Sequence, residues 1–145
     1  MNRKHILIVD DDLNLLRSME FILEAADFKV SAGQNGQEAL EKIKAAVCHP
    51  PDLLITDIQM PGLTGVQLID EVRRMNQSIP ILVITAYGDW KLKSELSQRG
   101  CHHCLDKPFD EEKLLEKVFM ILGENGDRSM RRNMVANVTI PQTKG

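Results

Sequence analysis

The sequence predicts a three-layer α/β domain: an open parallel sheet with helices on both faces. Three observations predict it. Short β-branched runs alternate with stretches of helical spacing. Turn-forming residues fall between them. The central runs are continuously apolar rather than alternating, as strands covered on both faces should be. A strict β-α order needs parallel strands joined by right-handed crossovers. The 145 residues suffice for one such domain, and 43% apolar with 27% charged residues exclude a disordered or low-complexity chain.

The strands are expected at Ile6–Val9, Val30–Ala32, Leu53–Thr56 and Ile81–Thr85, with a weaker one at His103–Leu105. The first helical stretch places Leu16, Met19, Leu23 and Ala26 on one face, and the second Ala39, Leu40, Ile43 and Val47. The third offers Leu68, Ile69, Val72 and Met75, and the last Leu114, Leu115, Val118 and Leu122. Gly88–Arg99 is the poorest, with only Leu92 and Leu96 spaced as a face and Trp90 near its start. Asn35-Gly36, Pro50-Pro51, Pro61-Gly62, Ile79-Pro80, Gly100 and Lys107-Pro108 punctuate the pattern.

The alternation defines a domain over residues 1–125. Residues 126–145 hold Arg128, Arg131, Arg132 and Lys144 against Asp127 and lack an apolar face, so they read as a basic polar tail or linker. The net charge of −3 leaves no global basic field for nucleic acid. The apolar runs fall far short of the ~20 residues that span a bilayer, and no signal peptide precedes the first strand, so a cytoplasmic protein with no membrane partner is expected. Three cysteines do not make a disulfide framework.

In an open parallel sheet, ligands bind beyond the carboxyl ends of the strands. Asp10, Asp11 and Asp12 follow the first strand, Asp57 the third, Thr85 ends the fourth, and Lys107 follows the fifth. Singly, each has an ordinary reading: Asp12 as a helix N-cap, Thr85 as a strand residue, Lys107 as a solvated amine. Together they form a site. Clustered carboxylates repel one another unless a cation fills the space, and Mg²⁺ suits hard oxygen ligands. A lysine and a hydroxyl nearby would then hold the oxygens of a phosphoryl group, with a carboxylate as nucleophile.

These residues stand in four stretches: Ile6-Leu7-Ile8-Val9-Asp10-Asp11-Asp12, Leu54-Ile55-Thr56-Asp57-Ile58-Gln59-Met60-Pro61-Gly62, Ile84-Thr85-Ala86 and Lys107-Pro108-Phe109. From residue 4 to about 123 the chain resembles the receiver domain of bacterial two-component response regulators. The resemblance implies a doubly wound, flavodoxin-like, five-stranded fold of order 2-1-3-4-5. It implies Asp57 as phosphoacceptor, and Mg²⁺ held by Asp11, Asp57 and the Gln59 backbone carbonyl, with Asp10 helping through water. Lys107 would pair with Asp57 at rest and with a phosphoryl oxygen afterwards, and Thr85 would bind another. The implied partners are a sensor histidine kinase or phosphotransfer protein upstream and an output domain or target protein downstream. Nucleic acid would be reached only through an output domain outside this chain. The implied product is a switched face of fourth helix, fifth strand and fifth helix, in a phosphoacceptor switch rather than an enzyme. Gln59 and Tyr87, two beyond the acceptor and two beyond the threonine, would tune dephosphorylation.

Cys104 stands where many members carry a switch aromatic, which leaves the route to the output face open. The run Cys101-His102-His103-Cys104 invites a zinc reading, but consecutive strand residues point to opposite faces and do not converge on one ion. Two rivals remain: a phosphate-independent interaction module of the same fold, for which the lost aromatic weighs slightly and against which the intact set Asp10, Asp11, Asp57, Thr85 and Lys107 weighs, and a Mg²⁺ phosphohydrolase with an aspartyl nucleophile. The latter usually has a second acid two residues on, where this chain has Gln59.

Overall fold

The computed structural model describes residues 3–76, 78–86 and 90–124. The expected tail, 126–145, lies outside the described residues. Five strands form one parallel sheet of order β2-β1-β3-β4-β5. They are β1 (His5–Val9), β2 (Lys29–Gly33), β3 (Leu53–Asp57), β4 (Ile81–Thr85) and β5 (His103–Asp106). Between them run α1 (Leu13–Ala25), α2 (Gly36–Ala45), α3 (Gly65–Met75) and α4 (Trp90–Gln98). Residues up to Pro108 form one compact unit, and a second begins at Phe109.

β3 and β4 are buried along their whole length: their apolar runs Leu53–Ile55 and Ile81–Ile84 are covered on both faces, and the polar ends Thr56, Asp57 and Thr85 are buried with them. Successive side chains alternate between the two faces. Leu7, Val9, Leu54, Ile81 and Val83 join Leu40 and Ile43 of α2, Leu68, Ile69 and Val72 of α3, and Leu96 of α4 in one core cluster. α1 packs on β1 and β2 through its own buried stripe, Leu16, Met19 and Leu23. The edge strands β2 and β5 are only partly covered. In the second unit α5 (Glu111–Glu124) begins where Asp110 Oδ1 accepts from Lys113 N at 2.8 Å, and its Leu114, Leu115, Val118 and Leu122 are buried. Among the described residues no helix is long and apolar enough to cross a membrane.

Helix ends explain where the predicted faces overshoot. Val47 is 79% exposed and Met75 43% exposed. α2 closes at the Ala46 cap and α3 at the Asn76 cap, so the spacing that continues past or up to those points no longer faces the core. Trp90 is 81% exposed at the start of α4, whose one buried residue is Leu96. Arg73 straps the far end of the sheet, donating from Nε to Arg99 O at 3.1 Å and from a terminal nitrogen to Ile79 O at 2.8 Å. Arg99 in turn pairs with Asp70 at 2.7 Å.

α1 and α4 close with the same hydrogen-bonded reversal. After α4, Cys101 N donates to Leu96 O at 2.9 Å and Gly100 N to Ser97 O at 3.0 Å, with Gly100 at φ 76. After α1, Phe28 N donates to Leu23 O at 3.1 Å and Asp27 N to Glu24 O at 3.0 Å, but the left-handed residue is Asp27, at φ 71. A side chain there costs what glycine avoids. Asp27→Gly is therefore expected to stabilise the fold, and Gly100→Ala to destabilise it, each by roughly 0.5–1 kcal/mol. Urea unfolding of the two variants beside the parent checks both signs.

Candidate functional site

Four strand ends deliver polar side chains to one edge of the sheet. Asp10 leaves β1 buried, only 1% exposed, with its N–H on Gly33 O at 3.2 Å. Its Oδ1 accepts from Asp12 N at 2.8 Å, while Asp12 caps α1 by accepting from Asn14 N and Leu15 N. Asp11 is exposed. Asp57 ends β3 and is buried, its Oδ1 accepting from Ile58 N at 2.7 Å and Gln59 N at 3.3 Å. Thr56 Oγ1 donates to the Asp57 carbonyl at 2.9 Å and fixes that peptide from below. Ligand oxygens of Asp10, Asp11 and Asp57 all lie within 4.8 Å of one another.

Lys107 reaches into this cluster from just beyond β5. Its Nζ stands 3.0 Å from Asp57 Oδ2 and 3.1 Å from Asp10 Oδ2, so it bridges two carboxylates rather than the one expected. Its own N–H donates to Thr85 O at 2.9 Å, which ties the lysine to the end of β4. Thr85 is buried one residue past Ile84, the register partner of Asp57.

Burial pushes the Asp10 carboxyl above the ordinary carboxylate value, with the charge of Asp57 adding to it. The Asp12 amide and Lys107 offset only part of this. For Lys107, burial alone would lower the ammonium's pKa, but its hydrogen bonds to Asp57 and Asp10 outweigh that and raise it. The cluster has the chemistry of a cation site: hard oxygens, excess negative charge and one buried acid that gains from a positive neighbour.

Among the other expected residues, Gln59 is exposed on the loop after β3, and its N–H is engaged by Asp57. Cys104 is half-buried on β5, three residues before Lys107, in register with Val83 and packed against the core cluster rather than among the acids beyond the strand ends. Tyr87 lies outside the described residues. Of the run before β5, Cys101 is buried, while exposed His102 meets Ser97 Oγ through Nδ1 at 3.3 Å. The two backbone donors on Asp57 had no signal in the sequence, since any non-proline residue supplies an N–H.

The raised Asp10 value carries a sign. The folded carboxyl holds its proton more tightly than the unfolded one, so its contribution to stability falls as pH rises above the ordinary value of 3.8. Asp10→Asn keeps the acceptor for Asp12 N and removes the repulsion. It is expected to raise the thermal midpoint of the metal-free chain at neutral pH by a few degrees. For Lys107, the raised value means stabilisation that is full below the ordinary 10.5 and lost as pH climbs through the folded value. Thermal scans from acid to alkaline pH check both.

The family model described as the response regulator receiver domain matches residues 6–119. The chain is 33% identical over 138 residues to the transcriptional regulatory protein CpxR homolog of Haemophilus influenzae, covering 93% of this chain and 56% of that protein. It superposes on a putative response regulator from Chloroflexus aurantiacus with a TM-score of 0.75 and 35% identity, covering 84% and 99% of the two chains. It superposes on the chemotaxis protein CheY4 of Vibrio cholerae with a TM-score of 0.76 and 30% identity, covering 83% and 99%. The chain spans about half the length, or less, of the curated relatives it matches. By fold, by sequence and by the acids its strands bring to one edge, the chain belongs to the response regulator receiver domain family.

Proposed function

We propose that Asp57 accepts a phosphoryl group from the phosphohistidine of a sensor histidine kinase or phosphotransfer protein, in a Mg²⁺-dependent reaction, and that the chain passes the change on to an output domain or target protein. The observation that carries this reading is the Lys107 ammonium, shared between Asp10 and Asp57 beside a third carboxylate. On this reading the receiver occupies residues 1–125 and works in the cytoplasm.

The carboxylate is already the nucleophile, so no general base is needed. Asp57 Oδ1 is fixed by the Ile58 and Gln59 amides, and Oδ2 faces Lys107. Transfer forms an O–P bond at Asp57 as the N–P bond of the donor breaks, and the imidazole leaves with the electron pair. The three carboxylates fit a hard divalent ion. Asp10, Asp11, Asp57 and the Gln59 carbonyl would hold Mg²⁺, which supplies charge neutralisation for the transferred group. Lys107 then exchanges a carboxylate oxygen for a phosphoryl oxygen, keeping its charge paired. Thr85 donates its hydroxyl to another phosphoryl oxygen and draws the end of β4 toward the site. Positioning and charge do the work, in a switch that is acted upon rather than one that turns over a substrate.

Cys104 is packed against the core cluster that holds Leu96 of α4. A thiol there fills space without the bulk of a ring. Gln59 and Tyr87 border the acceptor and the threonine in sequence, and we assign them the tuning of dephosphorylation.

Incubation with acetyl phosphate and Mg²⁺ is expected to add one base-labile phosphoryl mass to the chain, and none without the ion or in Asp57→Asn. Intact mass spectrometry reads it. Absence of the adduct in folded, Mg²⁺-binding protein challenged with a phosphorylated kinase would overturn the reading. Mg²⁺ at ten times its dissociation constant should stabilise the chain by about 1.4 kcal/mol, an effect lost in Asp11→Asn. A denaturation series at fixed Mg²⁺ checks this.

A further inference from the structure

The loop after β3 brings the chain back against its own acceptor. Gly65, the first residue of α3, donates its N–H to Ile58 O at 3.0 Å. A Cβ at position 65 would stand 2.3 Å from the Asp57 carbonyl oxygen and 2.7 Å from Ile58 Cα. Both are backbone atoms, which no rotamer change moves aside, and contact at that range is strongly repulsive. The loop is also closed on its other side. A Cβ at Gly36, the first residue of α2, would stand 2.8 Å from Leu63 O and 3.0 Å from Leu63 Cβ. Gly62 differs: its φ of 78 serves a turn, and the space around it is open. Residues 58–65 are therefore wedged between α2 and the peptide that carries the Asp57 carboxylate, with a missing side chain at each contact.

We propose that Gly65 is a positioning residue for phosphoryl transfer: the missing side chain at the start of α3, where the backbone lies directly on the Asp57–Ile58 peptide, sets where the accepting carboxylate stands. This rests on the reading of Asp57 as acceptor and deepens it. Asp57 Oδ1 is held by the Ile58 and Gln59 amides of the same loop. A side chain at 65 displaces that peptide and moves the acceptor together with its two donors. Lys107, which stands just beyond β5 with its N–H on Thr85 O, is not part of that loop. The acceptor then loses its alignment with the ammonium that neutralises the incoming group, and a misplacement of ~1 Å can cost about a hundredfold in rate.

The test uses the full chain, acetyl phosphate and Mg²⁺, with Gly65→Ala, Thr64→Ala and Asp57→Asn beside the parent. Thr64 caps α3, accepting from Gln67 N at 3.2 Å while its own N–H donates to Gln67 Oε1 at 2.9 Å. Its removal weakens the same turn without adding an atom against Asp57. Gly65→Ala is expected to lower the maximal rate of adduct formation per folded molecule by about a hundredfold. It should also shift the Ile58 and Gln59 amide resonances, while Thr64→Ala leaves the rate and both resonances near the parent's. Equal slowing in the two variants, or unmoved resonances in Gly65→Ala, would overturn the proposal. So would a Gly65→Ala chain that stays unfolded even in trimethylamine N-oxide, because the glycine would then serve the whole fold. A parent chain without adduct, or an adduct persisting in Asp57→Asn, overturns the acceptor reading alone, and the resonances still decide whether Gly65 places Asp57.

Discussion

Lys107 Nζ lies about equally far from Asp10 and Asp57, and its ammonium offsets the cost of keeping two carboxylates buried at the edge of a sheet. Coulomb attraction at such range is large where water is scarce and modest where it is not. Lys107 is the more exposed partner of each pair, so the balance is strong enough to hold the corner together and loose enough to be redirected. The geometry of the strands makes it possible. β1 and β3 are neighbours and β4 lies beyond β3, so the acids emerge from the centre of the sheet and the amine arrives from its edge.

The buried centre is what keeps these groups in place. β3 and β4 expose nothing, and their core partners on α2 and α3 leave little freedom to slide. A one-residue slip would turn every side chain to the opposite face, moving Asp57 from the rim and an apolar residue into it. Register thus decides which side chains stand at this rim. The same rigidity gives meaning to the close seat of α3 on Asp57: a loop pressed between two packed elements transmits displacement instead of absorbing it.

Much of this was legible in the sequence because it follows from repeating physical patterns. The β-branched runs located every strand to within about a residue at either end, and the polar residues after them named the members of the edge cluster. Asp12 was legible as a cap because its side chain does local work at a helix start. The ends of the helices were not legible. α1 closes on Asp27, an aspartate in a conformation that sequence reading reserves for glycine, and the helical spacing of Val47 runs on past the end of α2. Nor were the amides that hold Asp57, or the second partner of Lys107, because backbone donors and distances across the sheet leave no mark on composition. Nothing marked Gly65 either, because the close backbone approach that its missing side chain permits leaves no trace in composition or spacing.

The half-covered edges of the sheet have a consequence of their own. An edge strand offers unpaired peptide groups to any passing chain, and a flat apolar edge would invite a second sheet to dock and extend the first. β5 is only four residues long and ends in exposed Asp106, while β2 begins with exposed Lys29. A charged residue on a border strand disfavours the docking of another strand beside it. The charges that gather at one rim of the sheet are thus matched by single charges at its two borders.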